Sequence, residues 1–383
     1  MTSMPLIPTL TDGVVTLRAP REEDLTGIVE QSSDPLMQRW TTVPVPYTRD
    51  DAATYVRHVI PGGWETEREW AFTVEATDEE GRRRFGAIIS LRNEGPGRAE
   101  IAYGSHPWIR GRGLMERALR LLLEWGFAER DLRTVSWLAA RGNWASRRLA
   151  WRLGFVLEGT MTGWLQARDG LADAWVATLP HGVPLAPRSL WLETPRVAGD
   201  RVLLRPLAEH DLPRVVETLN DPETQRWHER PRVQAPHTVA SQADFVLVRH
   251  EQAAAGTALH WAVADPATDA YLGQVSLFGI RHRRQASLSY WTHPDARGRG
   301  LTREAARLVV RHCFVPWEDG GLGMRRLWSD AEPENLASCR LLEAVGFVPT
   351  GVDRAAEPRP DGTWADQARF DLLAGDYAPT DAG

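Results

Sequence analysis

The sequence predicts an α+β protein built from two tandem copies of one domain. The segment His106–Leu114 reads His-Pro-Trp-Ile-Arg-Gly-Arg-Gly-Leu, and it returns as His-Pro-Asp-Ala-Arg-Gly-Arg-Gly-Leu at His293–Leu301, an offset of 187 residues. Other landmarks recur in the same order around it. Within each copy, strand-like runs and helical patterns follow one another in a mixed order, with a strand–loop–helix–strand–helix centre. These three observations indicate a duplicated globular domain of mixed structure.

The repeat covers most of the chain. Pairs at the offset of 187 are Leu17-Arg18 with Leu204-Arg205, Asp24-Leu25 with Asp211-Leu212, Asp34-Pro35 with Asp221-Pro222, Trp40 with Trp227, and Gly86 with Gly273. Pairs at an offset of 192 are Asn143-x-Ala-Ser146 with Asn335-x-Ala-Ser338, and Gly154-Phe155 with Gly346-Phe347. A period this long is typical of duplicated domains and not of a solenoid. We therefore predict domains over residues 1–180 and 200–383, joined by a proline-containing linker over 181–199.

Each copy opens with the same predicted elements. A strand (14–17; 202–204) precedes a helix that starts near Glu22 or Glu209 and stops at Asp-Pro. The next strands cover 70–76 and 85–91 in the first copy, and 261–264 and 271–278 in the second. They are followed by a strand in which polar and apolar residues alternate (100–103; 287–290).

The second half of each copy starts at the Arg/Gly loop. Residues 114–125 and 301–309 have the apolar spacing of an amphipathic helix. A strand follows (134–138; 326–329), and then a short helix that begins near Asn143 or Asn335 and ends at Gly154 or Gly346. The last predicted strands cover 175–179 and 369–373.

Composition and charge exclude several classes of protein. The 383 residues carry a net charge of −6, whereas a nucleic-acid binder needs a basic domain. Two cysteines, Cys313 and Cys339, disfavour a disulfide framework and predict a reducing cytoplasm. The first ten residues lack the pattern of a signal peptide, and no stretch reaches the roughly 18 apolar residues of a membrane span. Because the histidines lack metal-site spacing such as HExxH, we expect no metal.

A strand that runs into Arg-Gly-Arg-Gly and then a helix is a candidate phosphate cradle. Glycines let the backbone approach closely, and free N–H groups at the helix start attract an anion. The candidate residues are Arg110, Gly111, Arg112, Gly113, Arg297, Gly298, Arg299 and Gly300. One such loop is also compatible with a tight turn that bears solvated arginines, but two copies in the same context favour a ligand site. The spacing matches neither a Walker loop nor GxGxxG.

These motifs resemble the GNAT acyltransferases, and among them the RimJ/RimL-like protein N-acetyltransferases. The likeness rests on Arg-x-x-Gly-x-small after a strand, on Asn-x-x-Ser, and on a Leu/Val-Gly-Phe helix end in each copy. It implies a mixed, mostly antiparallel, splayed sheet flanked by helices. It also implies that the Arg/Gly loop binds the pyrophosphate of acetyl-CoA or a longer acyl-CoA. By the same likeness, the splayed strands Ile101–Tyr103 and Leu288–Tyr290 pair with the pantetheine, and Asn143 and Asn335 bond its arm.

Two features depart from that family's pattern. The position that closes the loop with a small residue holds Met115 in the first copy and Thr302 in the second. The tyrosine acid that is usual in the family's later motif is absent from both copies, where Trp151 and Glu343 lie near its place. The loop of the second copy is the closer match.

Acyl transfer from a thioester to an amine needs a base for the amine and an acid for the leaving thiolate. Glu100, beside the predicted splay, is the candidate base, and the second copy has Ser287 there; the alternative is a solvent-facing glutamate without a role. Ser146 and Ser338 either protonate the thiolate or cap a helix. Glu100 favours catalysis in the first copy and the loop favours the second; we place catalysis in the first.

Two histidines precede prolines at the ends of the alternating strands. They are His106 and His293, and we expect them to fix a turn and not to take part in chemistry.

The sequence therefore predicts an N-acyltransferase. It would transfer an acyl group from acyl-CoA, or from an acyl carrier protein, to a peptide N-terminus or an aminated metabolite through a tetrahedral intermediate. Its tryptophans leave room for a longer acyl chain, as in natural-product biosynthesis; those in question are Trp40, Trp64, Trp70, Trp108, Trp137, Trp144 and Trp151. The alternative is a duplicated acyl-CoA-binding sensor or scaffold without turnover. We expect no nucleic-acid or membrane partner, and an oligomer is compatible with the sequence.

Overall fold

The computed structural model describes residues 7–228, 236–281, 284–359 and 362–377. They form two compact units, Met1–Ser189 and Leu190–Gly383, here called domain 1 and domain 2. The boundary lies within the segment predicted as a linker, and the residues on either side of the boundary are hydrogen-bonded to their own domain. The Trp151 indole N–H donates to the Ser189 carbonyl oxygen (2.9 Å), and the Leu192 N–H donates to that of Ala253 (3.0 Å).

Domain 1 contains the following helices and strands. They are β1 (Leu10–Thr11), β2 (Val15–Arg18), α1 (Leu25–Ser33), α2 (Pro35–Trp40), α3 (Arg49–Thr54), α4 (Ile60–Glu65), β3 (Glu69–Thr77), β4 (Arg83–Asn93), β5 (Arg98–Ser105), α5 (Leu114–Glu129), β6 (Thr134–Ala140), α6 (Trp144–Arg152), β7 (Val156–Ala167) and β8 (Gly170–Pro180). A π-helical turn joins α3 to α4.

Domain 2 repeats this order with one helix in place of α3 and α4. Its elements are β9 (Val197–Ala198), β10 (Leu203–Pro206), α7 (Leu212–Asn220), α8 (Pro222–His228), α9 (Phe245–Ala254), β11 (Ala258–Ala264), β12 (Tyr271–Arg281), β13 (Gln285–Thr292), α10 (Leu301–Phe314), β14 (Arg326–Ala331), α11 (Leu336–Val345), β15 (Val348–Pro358) and β16 (Trp364–Leu373).

Each domain is built on one eight-stranded sheet with the same topology. The strand orders are β1-β2-β3-β4-β5-β6-β8-β7 and β9-β10-β11-β12-β13-β14-β16-β15. All pairings are antiparallel except β5 with β6 and β13 with β14. The predicted mixed, mostly antiparallel sheet with flanking helices is therefore confirmed.

The amphipathic helix after each loop covers the sheet. Its buried residues recur at helical spacing in α5 (Leu114, Ala118, Leu119, Leu122, Leu123) and in α10 (Leu301, Ala305, Ala306, Val309, Val310). The central strand β11 is buried along its whole length. Burying such an apolar stripe against a sheet is what stabilises the layer.

A buried ion pair recurs at the start of both domains. Arg18 forms two hydrogen bonds with Asp24 (2.8 and 2.9 Å), and Arg205 forms two with Asp211 (both 2.8 Å). Each aspartate also accepts a backbone N–H three residues earlier, so it closes the turn that leads into α1 or α7. This buried Arg–Asp ion pair explains why Leu-Arg and Asp-Leu recur at matching positions in both copies of the sequence.

One repeat pair that the sequence suggested is wrong. The Gly86 carbonyl oxygen accepts the His106 N–H (2.8 Å), and the Leu272 carbonyl oxygen accepts the His293 N–H (2.9 Å). Gly86 therefore corresponds to Leu272, and not to Gly273. Each of these two residues is the unpaired residue of a β-bulge, where one extra residue shifts the local register.

The Asp-Pro stops end one helix and start another. Asp34 follows α1, and its carboxylate accepts the Met37 N–H (3.1 Å) to cap α2. The expected stop after α1 is confirmed, but the chain continues directly into a second helix that the sequence did not predict. The edge strands β7 and β15 and the helices α3, α4 and α9 were also not predicted.

Candidate functional site

The parallel strands at the centre of each sheet separate part of the way along their length. In domain 1 the pairing of β5 with β6 runs from Arg98 opposite Thr134 to Ile101 opposite Trp137, although β5 continues to Ser105. In domain 2 it ends at Ser287 opposite Trp328, although β13 continues to Thr292. The last pair of each set, here called the vertex, is followed by backbone that is unpaired on this side, which confirms the splay. Residues 102–103 and Leu288–Tyr290 lie on the unpaired part, and Ile101 is the last paired residue of β5.

The two vertices differ in detail. Ile101 and Leu288 are both buried. The Ser329 hydroxyl of β14 donates to the Leu288 carbonyl oxygen (2.8 Å), whereas Trp137 holds the matching place in β6.

The glycine loops adopt a conformation that requires glycine. Gly111 and Gly113 have φ of +73° and +71°, and Gly298 and Gly300 have φ of +71° and +74°, a region that other residues enter only at a cost. The first backbone hydrogen bonds of α5 and α10 run to the carbonyl oxygens of Gly113 (3.3 Å) and Gly300 (3.2 Å). The preceding N–H groups have no helical acceptor and carry the positive end of the helix dipole.

The first arginine of each loop is held by an aspartate. Arg110 donates to Asp34 (2.7 Å) and to the Ser105 carbonyl oxygen (2.8 Å), and Arg297 donates to Asp221 and Thr224. Burial acts to raise the pKa of Asp34, but the hydrogen bonds from Arg110 and from the Met37 N–H outweigh it and hold that pKa below its usual range. These two guanidinium groups therefore shape the loop, and both are among the residues that line the cavities described below.

The second arginine of each loop is exposed. The Arg112 guanidinium lies 5.3 Å from the Trp108 ring centre. Among the described residues, neither Arg112 nor Arg299 forms an ion pair. They are exposed at the loop, but Arg110 and Arg297, and not these two arginines, are among the residues that line the cavities.

A tyrosine of the splayed strand bonds the serine of the following helix in both domains. The Tyr103 hydroxyl lies 2.9 Å from Ser146 Oγ, and that of Tyr290 lies 2.8 Å from Ser338 Oγ. In domain 1 the Trp137 indole N–H donates to the Tyr103 hydroxyl (2.9 Å). Burial raises the pKa of Tyr103 to about 12 and raises that of Tyr290, so both phenols are protonated at neutral pH.

The helix caps are asparagines. The Asn143 side chain accepts the Ser146 N–H (3.3 Å), and the Asn335 side chain accepts the Ser338 N–H (3.1 Å). The expectation that Ser146 and Ser338 cap these helices is therefore wrong, because an asparagine at the preceding turn does so. Each asparagine keeps its amide N–H groups for another partner.

The two histidines fix turns, as expected. His106 Nδ1 accepts the Trp108 N–H (3.3 Å) and its Nε2 lies 3.0 Å from Glu30. His293 Nδ1 accepts the Asp295 N–H (3.2 Å) and its Nε2 lies 3.0 Å from Glu217.

Glu100 belongs to a charged cluster on one face of domain 1. Arg92 Nη1 lies 3.1 Å from the Glu100 carboxylate, and Arg92 Nε lies 3.5 Å from that of Glu69. The Ser90 hydroxyl donates to Glu69 (2.5 Å). Burial raises the pKa of Glu100, although the charge of Arg92 opposes this. A carboxylate with a raised pKa at the strand vertex is suited to accept a proton.

Domain 2 lacks this cluster. By the strand pairing, the positions of Glu69, Ser90, Arg92 and Glu100 are occupied by Ala258, Ser276, Phe278 and Ser287. Two carboxylates and a guanidinium are thus replaced by a methyl group, an aromatic ring and a hydroxyl.

The two domains also differ beyond the vertex. Gly104 lies on the splayed part of β5, and the matching residue of β13 is Trp291. The Trp291 indole donates to the Tyr271 hydroxyl and packs against a buried cluster that contains Phe245 and Tyr271. The space above this part of the strand is therefore filled in domain 2.

A cavity connects the loop, the splay and the vertex within each domain. In domain 1 its volume is about 1090 Å³, and its lining includes Gly111, Gly113, Asn143, Ser146, Tyr103 and Glu100. In domain 2 it is about 760 Å³, and its lining includes Gly298, Gly300, Asn335, Ser338, Tyr290 and Ser287. Residues that were separate in the sequence are thus brought around one space in each copy.

Most of the tryptophans proposed to shape an acyl channel lie elsewhere. Trp40 and Trp137 line the domain 1 cavity. Trp64 and Trp70 pack with Trp125 in a buried aromatic cluster, and Trp144 packs on Trp175. The expectation that these residues make room for a long acyl chain is wrong for Trp64, Trp70 and Trp144.

The described ranges contain neither a candidate metal site nor a candidate membrane-spanning helix. No group of three or more His, Cys, Asp or Glu side chains there could hold a metal ion. None of the helices there is both long enough and apolar enough to cross a membrane.

Comparisons with known proteins agree with this architecture. The acetyltransferase (GNAT) domain model matches residues 15–156 and again residues 201–348. The Bacillus subtilis (strain 168) protein named "Probable N-acetyltransferase YjcK" is 29% identical over 139 residues, which are 36% of this chain and 74% of that protein. "Uncharacterized N-acetyltransferase p20" of Bacillus licheniformis is 25% identical over 181 residues, 47% of this chain and 96% of that protein.

A solved structure of RimJ from Mycobacterium smegmatis in complex with CoA-disulfide is 22% identical, with a TM-score of 0.42, and covers 48% of this chain and 89% of that chain. The two matches to the domain model together span well over half of the sequence, one in each domain. The chain therefore belongs to the GNAT acetyltransferase family, as a tandem pair of its domains.

Proposed function

We propose that domain 1 transfers an acyl group from a CoA thioester to a primary amine, with Glu100 as the base. The observation that carries the proposal is the contrast at the vertex: domain 1 has a carboxylate with a raised pKa on the cavity wall, and domain 2 has Ser287. Membership of an acetyltransferase family supports the reaction class. The cytoplasm is the compartment we propose for it.

The donor end of the cavity fits a nucleotide thioester. The left-handed glycines leave open space where a Cβ would stand at Gly111 and Gly113, so phosphate oxygens can approach the free N–H groups. The unpaired edge of β5 beyond Ile101 offers backbone groups to an extended, amide-containing arm. Bound there, the donor supplies the activated acyl carbon, and the chain positions it.

The two proton transfers, from the amine and to the leaving thiolate, are assigned to groups on opposite faces of β5. Glu100 accepts a proton from the amine on one face. On the other, the bonded hydroxyls of Tyr103 and Ser146 lie beside the unpaired part of the strand, where a proton is needed by the leaving thiolate. Because the pKa of Tyr103 is raised to about 12, this phenol serves as an acid and not as a base. We propose Ser146 as the hydroxyl that passes the proton.

The acceptor end suits a cationic amine. Glu69 and Glu100 contribute two carboxylates there against the single guanidinium of Arg92, which attracts a protonated amine before it is deprotonated. We propose a peptide N-terminus or an aminated metabolite as the acceptor. A short acyl group is the better fit, since several of the tryptophans proposed for a channel are packed elsewhere; an acyl carrier protein is the alternative donor.

A second function fits domain 2. It keeps the glycine loop, the asparagine cap and the Tyr290–Ser338 hydrogen bond, but it has no base at the vertex and Trp291 occupies the matching acceptor space. We propose that domain 2 binds the donor without turnover. Ser338 then has a structural role.

Calorimetric titration with acetyl-CoA tests where the donor binds. We expect Arg112→Ala to weaken the affinity of domain 1 several-fold and Arg299→Ala that of domain 2, because each removes a charge-assisted contact from an exposed site. A stoichiometry of two that falls to one strong site in each variant is the expected result. Titrations that are unchanged in both variants would contradict the assignment of the loops to the donor.

The pH dependence of turnover tests the base. Arg92 holds the pKa of Glu100 down against burial, so Arg92→Ala should raise that pKa further. Because the base acts only when ionised, the acid limb of kcat/KM should move to higher pH. The control is Arg83→Ala, on the same strand but paired with Glu75, which should leave the profile unchanged. A limb that stays in place or moves to lower pH would exclude Glu100 as the titrating group.

A further inference from the structure

A buried glutamine in the wall of the domain 1 cavity has an unsatisfied side-chain oxygen. Gln31 lies on α1, is 3% exposed and lines the cavity. Its Oε1 has no hydrogen-bond partner among the described residues. Buried amide oxygens are almost always paired, so an unpaired one on a cavity wall indicates that the partner comes from a ligand.

The position of this amide relates it to Glu100. A Cβ placed on Gly104 would lie 3.0 Å from Gln31 Nε2 and 2.7 Å from Met37 Cε, so the amide rests directly on the backbone of β5. Residues 100, 102 and 104 point to the same face of a strand. Gln31 and Glu100 therefore flank Ala102, with about 13 Å between the Cα positions of residues 100 and 104 at the usual rise of a strand.

Domain 2 does not repeat this arrangement. Gln31 corresponds to Thr218, whose hydroxyl is satisfied by the Arg214 carbonyl oxygen (2.8 Å). Gly104 corresponds to Trp291, which fills the space. Domain 2 has its own unpaired buried amide oxygen, on Gln274, but that residue is not among those that line the domain 2 cavity. Among the described residues, an unpaired amide on the wall of one of these two cavities thus occurs in the domain that has Glu100.

We propose that Gln31 recognises the acceptor by accepting a hydrogen bond from an N–H group that lies farther along the acceptor than the reacting amine. The terminal amide turns about its last side-chain bond, which brings the oxygen to the cavity. The separation of about 13 Å between the Cα positions of residues 100 and 104 suits an extended acceptor, such as a peptide whose backbone N–H groups continue away from its α-amine. This inference rests on the proposed function of domain 1.

The test compares two probe amines with the full chain and acetyl-CoA. Alanyl-alanyl-alanine amide carries backbone N–H groups that continue away from its α-amine, and propylamine does not. In Gln31→Met, which keeps the length of the side chain but removes the acceptor, the KM for the peptide amide should rise about tenfold, as expected for loss of one hydrogen bond. The KM for propylamine and the KM for acetyl-CoA should not change.

Two further variants provide a second perturbation of the Gln31 amide and a matched control in domain 2. Gly104→Ala, whose backbone is not left-handed, should push the Gln31 amide aside and raise the same KM. Thr218→Val is the matched control in domain 2 and should leave all constants unchanged. Equal losses for both amines, a loss for acetyl-CoA, or no loss at all in Gln31→Met would each overturn the inference.

Binding measured without turnover separates this inference from the proposed function. Calorimetric titration of the peptide amide in the presence of CoA should show a tenfold weaker affinity in Gln31→Met. If that loss occurs in a chain that never acetylates an amine, the recognition role stands and the proposed function fails. If turnover occurs and Gln31→Met changes neither KM nor affinity, the recognition role alone fails. A chain that neither binds nor acetylates either amine overturns both.

Discussion

Replacing Glu100 by Gln should lower turnover of an amine by about 10²–10⁴-fold, the usual contribution of a positioned acid or base. The change keeps the shape of the side chain and removes the group that accepts the proton. The measurement is the initial rate of thiol release from acetyl-CoA with a saturating amine. The matched control is Ser287→Ala at the same position of domain 2, which should retain full turnover if catalysis belongs to domain 1.

The same variant should not lose stability, which distinguishes a catalytic role from a structural one. Burial raises the pKa of Glu100, so the folded state binds its proton more tightly than the unfolded state. The stability that this provides is complete below the ordinary pKa of glutamate and is lost as pH rises through the raised value. At pH 7 the ionised group therefore costs stability, and Glu100→Gln should have an equal or higher Tm. Undiminished turnover, or a clear fall in Tm, would count against the assignment.

Replacing Asp211 by Ala should destabilise domain 2 by about 3–5 kcal/mol, or roughly 10 °C in Tm. The side chains of Arg205 and Asp211 are 3% and 0% exposed, and the variant leaves a buried guanidinium with only Asp269 as a charged partner at 2.7 Å. It also removes the acceptor of the Ala208 N–H, which closes the turn before α7. Differential scanning calorimetry measures the shift.

A surface pair in the same domain is the control for this prediction. Asp295 lies 3.3 Å from Arg214 and is 71% exposed, so Asp295→Ala should change the free energy of unfolding by less than about 1 kcal/mol. If both variants lost a similar free energy of unfolding, the buried ion pair would contribute no more to stability than the surface pair. Retention of donor binding in Asp295→Ala shows that domain 2 is still folded.

The architecture could be predicted from the sequence because residues that recur at matching positions of both copies identify the positions that the fold requires. The Arg/Gly loops and the Gly154 and Gly346 helix ends stand where backbone geometry needs a special residue, so they repeat in both copies. The edge strands β7 and β15 could not be predicted, since they are largely exposed and lack a buried apolar pattern. A local signal for α3 was present in Thr48 and Asp51, which form a capping box.

The site was only partly predictable for a related reason. Motifs placed Glu100, Tyr103 and the loops near one another, because each belongs to a short segment with a recognisable pattern. Arg92 and Gln31 lie on other elements, and only the sheet register and the packing of α1 bring them to the cavity. The first arginine of each loop is likewise bonded to an aspartate that lies 76 residues away in the sequence. Contacts between residues far apart in the sequence cannot be predicted from the local pattern around either residue.

The contrast between Gly104 and Trp291 has a consequence for how such a tandem protein evolves. A duplicate that is released from selection for catalysis is free to exchange an open pocket for a packed interior, and the indole in domain 2 joins the buried cluster around Phe245 and Tyr271. Filling a cavity of this kind adds stability. Restoring an acceptor site in domain 2 by mutation would therefore work against the thermodynamic advantage that its closure confers. If domain 2 binds the donor without turnover, as proposed above, an acceptor site is easier to lose from this copy than to regain.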